Sequence, residues 1–86
     1  MKLLEQIVNQ RINRITKEDL LKYSKEYGIT ITTNQAEKVV GLLRGKNVNI
    51  FNSLERAKLI KEIAKITSPA VAKELNQLFL QFTGTN

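Results

Sequence analysis

Eighty-six residues suffice for one small domain, which can bury about 60–65% of the surface its unfolded chain exposes. The chain has neither cysteine nor histidine, which removes disulfides, thiolate and imidazole metal sites, the cysteine nucleophile and the usual general base. Fourteen Lys and Arg against eight Asp and Glu leave a net charge of +6, a field that suits nucleic acid, anionic lipid or an acidic protein and also keeps a small domain in solution.

The first ten residues, MKLLEQIVNQ, are interrupted by Glu5, Gln6 and Asn9 and do not read as a signal peptide. No apolar run approaches the ~18 residues of a membrane span. The expectation is a cytoplasmic protein without a membrane partner.

Helical periodicity then dominates. In LLEQIVNQRINRI the residues Leu4, Ile7, Val8, Ile12 and Ile15 share one face. TKEDLLKYSKEYG opens with Thr16 as N-cap and Asp19 three positions on, carries Leu20, Tyr23 and Tyr27 on one side, and stops at Gly28. Glu18–Lys22 and Lys22–Glu26 are one turn apart, a spacing that contributes a few tenths of a kcal/mol per pair. NQAEKVVGLLR forms a third helix, capped by Thr32 with Gln35 or by Thr33, with Ala36, Val39, Val40 and Leu43 as its buried stripe. SLERAKLIKEIAKI forms a fourth, with Asn52 and Glu55 at capping-box spacing and Leu59, Ile60, Ile63 and Ile66 inward. The fifth starts with Ser68 as cap and Pro69 at the first helical position, followed by Val71, Leu75, Leu78 and Phe82. Residues 83–86 should fray. There is no linker, repeat or low-complexity tract, so residues 1–86 read as a single helical domain.

Two segments depart from this period. ITIT (29–32) and VNIF (48–51) alternate and are β-branched, the signature of extended chain. They flank one short helix and can pair antiparallel as a two-stranded stub, like the paired loops of EF-hand-like domains. Calcium does not follow, because neither segment holds an Asp or Glu and such loops need a series of carboxylates. No metal or other cofactor is expected.

GLLRGKN (41–47) looks like a shortened phosphate-binding loop. A working loop needs a strand before it and a helix N-terminus after it. Here Gly41 lies inside a helical pattern and Gly45 follows its end, where a glycine is an ordinary left-handed cap and the exposed carbonyls repel phosphate. The segment therefore reads as a helix stop. Gly41 falls on the polar face with Glu37 and Arg44, where alanine would be better by about 1 kcal/mol, unless another backbone or a partner approaches closely there.

Lys58, Lys61 and Lys65 form a stripe opposite the apolar face of the fourth helix. Solvated lysines belong there; joined with Arg44 and Lys46 they would instead make a basic patch that tracks phosphates without sequence preference. AKITSPAVAKEL has the flavour of a helix-turn-helix, but the seven positions from Ala64 to Val71 are too few for the usual register. Tyr23, Tyr27, Phe79 and Phe82 fall on apolar stripes, which argues against exposed aromatics that stack on bases. Two arginines, Arg11 and Arg56, lie within apolar arcs. Either their stems cover apolar surface while the guanidinium reaches water, or a carboxylate pairs with them, inside the fold or on another subunit. Leu80 projects from the polar side of the last helix with Lys73 and Asn76.

The segments TKEDLLKY, LLRGKNVNIF and AKITSPAVAKELNQLFLQF resemble a family of short, uncharacterised proteins from Bacillus-like Gram-positive bacteria, a domain of unknown function. The resemblance covers most of the chain. It implies a small cytoplasmic protein and supplies no catalytic residues.

The expected fold is thus a mainly α bundle of about five helices with the β stub between the second and fourth. The expected function is a non-catalytic binding module, for another protein or for a second copy of itself, with Gly41, Arg44, Arg11, Arg56 and Leu80 as candidate interface. The alternative is a weak, non-specific nucleic-acid binder using Arg44, Lys46, Lys58, Lys61 and Lys65. Enzymatic activity is not expected: without His or Cys, no nucleophile–base pair can be assembled.

Overall fold

The computed structural model describes residues 2–83. Five helices follow one another: α1 (Lys2–Asn13), α2 (Lys17–Glu26), α3 (Thr33–Leu43), α4 (Ser53–Ile66) and α5 (Pro69–Thr83). α3 packs between α2 and α4, and α5 packs along α4. The expected fraying of 83–86 falls outside the described residues, apart from Thr83, whose hydroxyl donates to the Leu80 carbonyl at 2.9 Å.

Local chemistry sets the helix ends. Thr16 Oγ1 accepts the Asp19 N–H at 3.1 Å and Asp19 Oδ2 accepts the Thr16 N–H at 3.2 Å, a reciprocal capping box. Thr32 and Gln35 repeat it on α3 at 3.1 and 3.0 Å, so Thr32 and not Thr33 is the cap. On α4 only half the box forms. Asn52 Oδ1 accepts from Leu54 and Glu55, but the Glu55 carboxylate turns away to the Asn49 N–H at 2.9 Å. Ser68 Oγ accepts the Val71 N–H at 3.1 Å, with Pro69 in the first helical position.

The β stub is not formed: no strand occurs among the described residues, and the EF-hand-like pairing goes with it. At 29–32 the alternation comes from two adjoining helix ends. Gly28 is left-handed (φ 71°), its N–H donates to Lys25 O, and the Ile29 N–H reaches Ser24 O at 2.7 Å. These two bonds are a Schellman motif, in which Ile29 is the apolar residue that folds back onto its helix. Ile31 precedes the Thr32 cap and packs against the core, as an entering hydrophobe does. At 48–51 the backbone finds side-chain partners instead, as described below.

The core joins Leu20 and Ile29 with Ala36, Val39 and Leu43, with Leu59 and Ile63, and with Ala72, Leu75, Leu78 and Phe79. Ile50 enters it from the loop between α3 and α4. Full burial of each of the Val, Leu, Ile and Phe side chains contributes about 1.5–3 kcal/mol. The apolar face of α1 is covered only in part. Ile12, and Ile15 just beyond the helix, are buried, but Leu3, Leu4 and Ile7 are 66%, 58% and 44% exposed. The apolar face runs beyond the end of the core that would cover it. Tyr27, expected on an apolar stripe with Leu20 and Tyr23, is the C-cap of α2 and is 50% exposed. The Glu18–Lys22 and Lys22–Glu26 pairs are absent among the described residues; Lys17 instead reaches Glu37 on α3 at 3.2 Å.

Candidate interaction groove

The segment that resembles a phosphate loop is a structural clasp. Arg44 (φ −71°, ψ 127°) and Gly45 (φ 74°) occupy the centre of a turn closed by Lys46 N–H to Leu43 O at 3.3 Å. These angles match a type II turn, whose third position needs positive φ and so glycine. Gly45 is therefore a turn residue immediately after α3 rather than a simple helix cap. Asn47 is also left-handed (φ 53°), a conformation asparagine tolerates.

α1 holds this segment with two asparagines. Asn13 accepts the Gly45 N–H on its carbonyl at 3.0 Å and the Asn47 N–H on its side chain at 2.8 Å. Asn9 accepts the Ile50 N–H at 3.2 Å and donates to Asn49 Oδ1 at 2.9 Å. Asn49 Oδ1 also accepts the Phe51 N–H, and the Asn49 carbonyl accepts the Asn52 N–H. From α4, Arg56 donates to the Ile50 carbonyl at 2.8 Å. The backbone donors that a phosphate would need are thus occupied, a helix precedes the segment, and the next helix begins only at Ser53.

The clasp orients α1 so that its other flank faces a groove. Val8, Ile12 and Ile15 line it together with Tyr23 of α2 and Phe82 of α5. Those two rings meet edge to face, centroids 5.7 Å apart and planes at 76°. The groove has a volume of about 600 Å³. Ile7, Gln10, Arg11, Arg14 and Asp19 complete its lining. Among the described residues no carboxylate lies within 4 Å of either guanidinium. Asp19 is held by the Thr16 N–H in its capping box. A smaller hollow of about 210 Å³, lined by amides of Gln6, Asn9, Gln10, Asn13 and Asn47, lies beside the clasp.

The sequence-predicted site residues are distributed over several surfaces. Arg11 is exposed in the groove. Arg56 is half-buried and takes neither expected form, since its guanidinium binds a main-chain carbonyl inside the fold. Gly41 is exposed with nothing within 4 Å of where a Cβ would stand, and Arg44 is exposed at the turn. Leu80 is half-buried. Lys46, Lys58, Lys61 and Lys65 are exposed, with Lys65 paired to Glu62 at 3.3 Å. Arg14 and the 75% exposed Leu54 were not singled out by the sequence, and Asp19 was expected only as a capping partner. Arg14 has a sequence signal: Leu4, Ile7, Arg11 and Arg14 follow a three-four-three spacing along α1.

Residues 1–83 match a family profile described as "Protein of unknown function (DUF2624)". The chain is similar to the "Uncharacterized protein YqfT" of Bacillus subtilis (strain 168), with 54% identity over 83 residues, covering 96% of this chain and 99% of that protein. No solved structure matches.

Proposed function

We propose that this chain, which belongs to the DUF2624 family, is a non-catalytic module that binds a protein through the groove between α1, α2 and α5. The observation that carries the reading is the continuity of that groove with Leu3, Leu4 and Ile7, apolar residues left exposed on the same helix. An apolar stripe on an amphipathic helix is ordinarily covered, and a contiguous exposed one marks an interaction surface. The proposal keeps the cytoplasmic location expected from the sequence. Among the described residues, no helix is long and apolar enough to cross a membrane, and no group of three His, Cys, Asp or Glu side chains comes together.

The test is co-purification from native cytoplasm with wild type and Ile7→Asp, at low and high salt and after nuclease. A stoichiometric protein that persists through salt and nuclease and is lost with Ile7→Asp supports the module. Recovery indifferent to Ile7→Asp would place any partner elsewhere on the surface.

A second reading, weak and non-specific nucleic-acid binding, is supported by the exposure of Arg44, Lys46, Lys58, Lys61 and Lys65. Material lost on nuclease treatment in the same experiment would favour it.

A further inference from the structure

Leu4, Ile7, Arg11 and Arg14 are all exposed and succeed one another at three, four and three residues along α1. That is the seam spacing by which one helix packs along another. Two apolar positions are followed by two cationic ones, so the seam carries its own directional code. We propose that this seam receives an amphipathic helix of a partner protein, with apolar side chains against Leu4 and Ile7 and carboxylates against Arg11 and Arg14. The inference rests on the protein-binding reading above and specifies the partner's chemistry.

Charge complementarity selects the occupant. Neither guanidinium has a carboxylate within ion-pair distance among the described residues, and Asp19, the acidic residue in the lining, is engaged in its cap. A second copy fits poorly. Parallel pairing sets Arg11 and Arg14 against themselves, and antiparallel pairing sets them against Ile7 and Leu4. The first is repulsive and the second buries charge without a partner, both unfavourable. The net charge of +6 adds repulsion between copies. A lipid surface could answer the charges, but Ile7, Arg11 and Arg14 line a recess walled by Tyr23 and Phe82. Side chains of a helix reach into such a recess and a flat surface does not. Arginine suits this role because its planar fork holds a carboxylate by two bonds.

The experiment titrates the full chain with two synthetic helices carrying leucines and glutamates at the same spacing, in either order along the peptide. Matched helices have lysine for glutamate. Vesicles of mixed phosphatidylglycerol and phosphatidylcholine form a third arm, and sedimentation equilibrium of the chain alone a fourth. Wild type should bind one glutamate helix, more weakly as salt rises. Arg11→Glu/Arg14→Glu should weaken that binding at least about tenfold and bind the lysine helix better than wild type does. Circular dichroism should show unchanged helix content, since all four seam residues are exposed. Equal binding of glutamate and lysine helices would overturn the acidic partner while leaving a generic protein-binding groove. A dimer dissolved by Ile7→Asp would replace it with self-association. Vesicle binding without helix binding would overturn both this inference and the protein-binding reading.

Discussion

Asn9 and Asn49 hydrogen-bond side chain to side chain at 2.9 Å across forty positions of sequence, and the same Asn9 accepts the Ile50 N–H. With the two bonds that Asn13 accepts, this contact helps fix α1 to the rest of the fold, because the apolar attachment of α1 is confined to its C-terminal half and the junction beyond. The position of the groove therefore depends on an amide.

Asn9→Ala should leave the Ile50 N–H unpaired beside a fully buried side chain, costing about 1–3 kcal/mol. Arg56→Ala should cost a similar amount by freeing the Ile50 carbonyl. The two hold opposite ends of one residue, so the double variant should depart from additivity by about 0.5 kcal/mol or more. Urea unfolding of the four proteins measures this. Strictly additive effects would mean that Asn9 and Arg56 do not share the Ile50 segment.

Helix ends were legible in the sequence because their partners are local. Thr16 with Asp19, Thr32 with Gln35, and Ser68 with Pro69 each sit within one turn, and the structure realises all three. The alternation of Ile29 and Ile31 misled for the same reason, since a Schellman hydrophobe and a cap-preceding hydrophobe two residues apart imitate a strand. Periodicity also identified the apolar face of α1 correctly, but it cannot say whether another element covers Leu4 and Ile7. Asn9, Asn13 and Arg56 act on a loop more than thirty residues away or through a main-chain carbonyl, and residue type alone does not announce such bonds. Within the groove Arg11 was legible as an arginine on an apolar arc. Arg14 needed the seam register, and Tyr23 with Phe82 needed the contact of those two rings in three dimensions.

The two glycines of GLLRG should respond with opposite sign. Gly41 is helical and faces open space, so Gly41→Ala should stabilise by up to about 1 kcal/mol. Gly45 has φ 74°, where a side chain is strained whatever the space, so Gly45→Ala should destabilise by about 1 kcal/mol and Gly45→Val by more. Thermal melts decide it. Destabilisation by Gly41→Ala would mean that its open side is occupied in solution.

Ser24 is 1% exposed in the interior of α2, and its hydroxyl has no hydrogen-bond partner. Ser24→Ala removes the unsatisfied group and improves helix propensity, and should raise stability by about 1 kcal/mol. A lower melting temperature for this variant would show that the hydroxyl is satisfied in solution, most simply by a main-chain carbonyl of its own helix.

The lysine stripe of α4 should prove to be solvated surface. Lys65 is paired with Glu62, which places a negative charge within the stripe. Aromatic partners for bases are scarce around it: Tyr23 and Phe82 are packed on each other, and Tyr27 is half exposed on α2. Titration with duplex and single-stranded DNA should therefore show weak binding at low salt that disappears near physiological salt. Were Arg44, Lys46, Lys58, Lys61 and Lys65 a working patch, each charge removed would lower the salt slope by about one unit, with affinity falling alike for all sequences. The decisive variant is Lys58→Glu/Lys61→Glu/Lys65→Glu, checked for unchanged folding. Submicromolar binding that survives the higher salt and is abolished by the triple change would move the function from the α1 groove to the α4 stripe.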